Sequence, residues 1–154
     1  MEKNKSITRY IAIQAFYCML NQKTNKEEIF DFFLKDKDFD FLFDFEEKIE
    51  KSNFDKLFFK RIIEIQNKEK EKIEKLIYQN LDKSWKLERL PAILHSILIS
   101  AISEMLLNPN LPLGIIVTEY LKLTDCFFLE GERAFVNAIL EKVHSIILIE
   151  NKSN

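Results

Sequence analysis

Two glycines and three prolines in 154 residues leave too few turn residues for a β fold, which spends them at every hairpin. What remains is a chain of helices joined by short polar loops. Hydrophobic residues make up 47% of the sequence, enough for a single real core, so global disorder is excluded. A chain of this length fits one domain and buries about two-thirds of its unfolded surface.

Apolar periodicity locates the helices. Ile13, Phe16, Tyr17 and Leu20 fall on one face of a first helix from about Ser6 to Leu20, with Ile7 and Ile11 extending that face. Thr24 and Glu27 have capping-box spacing and are expected to open a second helix. Asp38 to Phe45 alternates like a strand but has no partner, so it is read as loop and irregular helix with its phenylalanines turned inward. Ten of the fourteen phenylalanines lie between Phe30 and Phe59, which gives the first half a bulky aromatic core.

Ser52 with Asp55 is a candidate cap for a helix that places Phe54, Leu57, Phe58, Ile62 and Ile65 on one side. The Lys/Glu run from Asn67 to Lys75 reads as a solvated helix face with i, i+4 pairs, because its acids cancel its bases. Beyond Pro91, the run Ile93, Leu94, Ile97, Leu98, Ala101, Ile102, Met105 and Leu106 is apolar almost all round and is expected to be the central helix. Pro112 pre-sets another helix, Gly131 turns the chain, and a last helix buries Phe135, Val136, Ile139, Leu140, Val143 and Ile147. The tail from Glu150 is expected to fray.

The chemistry of sites is thin. Gly114 and Gly131 alone cannot build a phosphate loop, and His95 and His144 lack metal-ligand spacing. Cys18 and Cys126, both in apolar surroundings, are read as reduced buried thiols. Neither a catalytic residue, a cofactor nor a metal is expected. Glu104 and Glu119 are carboxylates embedded in apolar helices; the favoured reading is structural acceptance of hydrogen bonds, the other a perturbed catalytic acid. A net charge of −2 excludes a broad basic face, but Lys3, Lys5 and Arg9 stand against only Glu2 in the first ten residues. Apolar runs are too short for a membrane span and no signal peptide is evident, so a cytoplasmic protein is expected.

Two blocks carry a family resemblance. Arg9-Tyr10-Ile11-Ala12-Ile13-Gln14-Ala15-Phe16-Tyr17 is similar to the opening R-x-x-A-V/I-Q-A/L-L/F-Y signature of the NusB transcription antitermination family. Trp85-Lys86-Leu87-Glu88-Arg89-Leu90, Ile97-Leu98, Glu104, Pro112, Thr118-Glu119 and Phe135-Val136-Asn137-Ala138-Ile139-Leu140-Glu141 resemble that family's later motifs, in order and with matching gaps. The resemblance implies an all-α compact bundle of about seven helices in two packed three-helix units. Residues 1–150 would be one domain, divided into 1–83 and 84–150, with 151–154 as a tail. It also implies binding to the boxA element of ribosomal RNA together with a small-subunit ribosomal protein acting as NusE. RNA polymerase and other Nus factors would be indirect partners, and the free chain a monomer or homodimer.

Carried over by position, Lys3, Lys5 and Arg9 correspond to the family's basic RNA-contacting motif. Tyr17 and Phe135 match aromatic positions expected near the RNA or ribosomal-protein surface, or else pack in the core. Gln14 and Asn137 either fix helix contacts or reach RNA, the structural role being favoured. Ile99, Ser103 and Asp125 depart from the arginine, aromatic and lysine common at their positions, which predicts modest, salt-sensitive RNA affinity. The competing expectation is a protein-interaction or oligomerisation module that has lost RNA binding.

Overall fold

The computed structural model describes residues 4–35, 54–82, 90–129 and 131–153. Among these the regular structure is helical: α1 (Lys5–Gln22), α2 (Lys26–Phe30) running on into a π-helical turn (Asp31–Lys35), α3 (Lys56–Lys68), α4 (Lys70–Gln79), α5 (Ala92–Leu107), α6 (Leu113–Phe127) and α7 (Glu132–Ser153). The all-α expectation holds. The alternating segment Asp38–Phe45 and the Trp85–Arg89 motif lie outside the described residues, as do Lys3 and Ser52.

The chain's own caps set the helix starts. Asn4 Oδ1 accepts from the Ile7 N–H of α1 at 2.9 Å, so the helix starts at Lys5, one residue before the expected Ser6. The capping box falls one residue later than expected, on Asn25 and Glu28 rather than Thr24 and Glu27. Both pairs have the required spacing, and asparagine caps better than threonine. Asp55 itself caps α3, accepting from Phe58 N–H at 3.0 Å; Ser52, expected to act with it, lies outside the described residues. Pro91 and Pro112 stand just before α5 and α6, at extended ψ, and their carbonyls accept the first helical bonds. Gly131 turns into α7 at φ +84, a conformation that glycine adopts without strain. Residues 150–153, expected to fray, remain helical; Glu150 pairs with Lys72 of α4 at 2.9 Å.

The central position of α5 follows from its composition. Leu94 and every residue from Ser96 to Met105 are buried, and α5 packs on α1, α3, α4, α6 and α7. Its three buried serines do not break this packing. Ser96 and Ser103 return their hydroxyl protons to backbone carbonyls four residues earlier, and Ser100 pairs with Tyr120. Around α3 the aromatic core is built on Phe59, whose ring centroid lies 5.7 Å from Phe33 and 5.9 Å from Phe54. The two halves of the chain therefore share one core. Cys18 is buried but Cys126 is exposed, because it falls on the solvent side of α6 with Lys122.

Candidate nucleic-acid interface

The start of α1 is fixed to the body from two sides. On one side, Thr8 Oγ1 donates to the Asn4 carbonyl at 2.8 Å and accepts the Asp55 N–H at 2.7 Å. A single parallel bridge joins Asn4 to Phe54 there, so α1 and α3 begin side by side. On the other side Ser6 Oγ donates to Glu119 of α6 at 2.8 Å, and the Tyr10 ring lies against Phe127 with centroids 6.0 Å apart.

Between these ties sits a buried charge cluster. Arg9 Nε and Nη2 donate to the two oxygens of Glu104 at 2.8 and 2.7 Å, and Arg9 Nη1 lies 3.5 Å from Glu119. Tyr120 Oη donates to Glu104 at 2.9 Å and meets Ser100 at 3.0 Å. Burial alone lowers the Arg9 pKa, but the hydrogen bond and charge of Glu104 outweigh it and leave the guanidinium pKa raised. Burial first, then the Glu104 charge, pushes the Tyr120 phenol well above its ordinary 10.0.

The sign of that shift sets a pH dependence. A folded pKa above the unfolded one contributes stability below the unfolded pKa and loses it as pH rises, because only the unfolded phenol ionises easily. Stability is expected to fall as pH climbs past 10, and Tyr120→Phe should flatten that fall in denaturation curves taken from pH 8 to about 11. An unchanged slope in the variant would remove Tyr120 as its source.

This cluster corrects the carry-over of Arg9. The residue is 5% exposed and its fork is committed to carboxylates, so it does not present a charge to phosphate here. Gln14 is likewise fully buried within α1, which leaves it the helix-contact role. Lys5 is exposed, and its ammonium lies over the Phe58 ring, 5.1 Å from the centroid. Tyr17, Phe135 and Asn137 are part-buried, so each keeps some surface while packing inward; Lys3 lies outside the described residues. The structural reading of Glu104 stands: its two oxygens accept from Arg9 and Tyr120 inside the helix contacts. Ile99 and Ser103 are both buried, and Asp125 is paired with Arg133 across the α6–α7 turn. No group of three or more possible metal ligands occurs among the described residues, and no helix there is long and apolar enough to cross a membrane.

One basic feature escaped the sequence pattern. The first turns of α3 carry Lys56, Lys60 and Arg61, all exposed, beside the start of α1. Helical spacing puts Arg61 three residues after Phe58, but only the fold brings that face next to Lys5.

With this geometry in place, the family model of the NusB family matches residues 6–145. The chain belongs to the NusB family. The transcription antitermination protein NusB of Allorhizobium ampelinum is 34% identical over 89 residues, 58% of this chain and 56% of that protein. The NusB of Bartonella tribocorum is 32% identical over 75 residues, 49% of this chain and 48% of its own length. The chain thus spans about half the length of the curated relatives it matches. A solved structure of NusB from T. maritima covers 94% of this chain and 93% of its own, with a TM-score of 0.72 at 21% identity, which shows the shared NusB fold.

Proposed function

We propose that this NusB-family chain binds the boxA element of nascent ribosomal RNA together with a small-subunit ribosomal protein acting as NusE, supporting processive ribosomal RNA transcription. RNA polymerase and the other Nus factors are then reached through that complex rather than through a catalytic step. The observation that carries the reading is the start of α1. Arg9 is anchored inward on Glu104 while Lys5, one turn earlier, is held outward over Phe58. A cation fixed at the tip of a rigid helix gives phosphate contact without the full cost of ordering a free lysine. Lys3 and Lys5 are the proposed backbone contacts. Tyr17, Phe135 and Asn137 keep partial exposure for base or protein contact; Arg9 and Gln14 support them from within.

With only a few cations at this tip and a net charge of −2, the isolated chain should bind weakly, with a salt slope of only about 0.7 for each phosphate contacted. Titration of labelled boxA-type single-stranded RNA is expected to show a gain in affinity of about tenfold or more when the ribosomal protein is added, as linked binding sites predict. No gain would refute joint recognition. Capture of the ribosomal protein with no RNA binding at any salt would instead leave a protein-interaction module.

A further inference from the structure

The adjoining starts of α1 and α3 and the end of α5 enclose a cleft of about 370 Å³. Lys5, Leu57, Phe58, Arg61, Leu107 and Asn108 line it, together with Asp55. That volume lies at the small end of ligand clefts, which run from about 300 to 1,000 Å³. It suits one unit of an extended strand and is too small for a helix. Resting on the function proposed above, we propose that this cleft is a single-nucleotide subsite that carries RNA from the start of α1 onto α3, with Arg61 as its principal phosphate ligand.

Each wall supplies one part of what a splayed nucleotide needs. Arg61 is exposed and makes no ion pair with any described residue, so its planar fork is open to two phosphate oxygens. Lys5 is the second cation, its ammonium 5.1 Å from the centroid of the Phe58 ring. Leu57, which is 58% exposed, and Leu107 offer apolar surface to a base. The exposed Asn108 brings an amide that can both donate to and accept from a base edge.

The one acid in the lining does not cancel these charges. Asp55 Oδ1 accepts from Phe58 N–H, so its charge sits against the positive end of α3. Lys56 and Lys60 are exposed on the same helix, which gives the first two turns of α3 a net positive surface. Charge complementarity therefore selects a polyanion, and the cleft's size and mixed polar and apolar walls select a single strand.

The test uses the full chain with its ribosomal-protein partner, labelled boxA-type single-stranded RNA, and salt between roughly 50 and 200 mM. Arg61→Gln is expected to weaken RNA binding about five- to tenfold and make the salt slope shallower by about 0.7, as losing one single-strand phosphate contact predicts. Lys75→Gln, an exposed change on α4 outside the cleft, should alter neither. Circular dichroism should find both variants folded, since both side chains are on the surface.

If the unaltered chain binds no RNA with its partner present, the proposed function itself fails. If it binds and Arg61→Gln keeps both affinity and slope, only the cleft assignment fails. Equal losses in Arg61→Gln and Lys75→Gln would show diffuse charge in place of a subsite. Weaker capture of the ribosomal protein by Arg61→Gln, with the salt slope unchanged, would assign the cleft to protein and overturn the proposal.

Discussion

Glu104→Ala is expected to cost about 3–5 kcal/mol of folding stability, because it leaves the Arg9 guanidinium buried without its counter-charge. For a chain of this size that is a fall of roughly 6–20 °C in Tm, measurable by calorimetry or by circular dichroism. The pair is bidentate and almost sealed, with side chains 7% and 3% exposed, so solvent cannot replace the lost carboxylate. Glu119, 3.5 Å from Arg9 and more exposed, compensates only in part. Arg9→Met combined with Glu104→Leu should recover most of the loss, since an apolar pair needs no desolvation of charge. If the single change costs under about 1 kcal/mol, in the range of exposed ion pairs, the cluster is solvated and the account of Arg9 is wrong.

Phe59→Ala is expected to destabilise the chain by about 3–5 kcal/mol, through lost transfer energy and the cavity left behind. Phe59 is fully buried at the centre of the ring cluster that joins the π-helical turn to α3. Removing it takes away a contact of both Phe33 and Phe54, so amide exchange should accelerate first in α2 and the turn that follows. Leu57→Ala, two residues away and 58% exposed, should stay within about 0.5 kcal/mol of the unaltered chain. Similar losses at the two positions would mean that Phe59 is not where the aromatic core is concentrated.

The contrast between these two residues marks what a linear pattern conveys. The all-round apolar run after Pro91 announced α5 as the central helix, since no exposed helix tolerates such a composition. Gly131 was legible because a left-handed turn depends on residues close by, and Asp55 was legible as part of a cap, though paired with Ser52 rather than as the cap itself. Glu104 was legible as a hydrogen-bond acceptor from its apolar neighbourhood, but its donor was not, being 95 residues away at Arg9. For the same reason Arg9 looked like a free cation in a basic cluster. Its chemistry is determined by helices that the local sequence does not mention. Cys126 was misplaced because an apolar segment still has a solvent side. Arg61 was overlooked because charges on α3 interleave with apolar residues and acids, and only the tie between Thr8 and Asp55 turns that face toward Lys5.

The burial of α1 and α3 against α5 also governs how the chain can be made. α1 packs on α3 and most extensively on α5, yet α5 ends at Leu107, 85 residues after Gln22. At about 5–20 residues per second, a ribosome needs on the order of 4–17 s to deliver the missing helix. During that interval α1 can meet α3 but lacks its largest neighbour, so Ile11, Ile13 and Phe16 are only partly covered. Only once α5 has left the exit tunnel can the first helix take up its final, fully buried place.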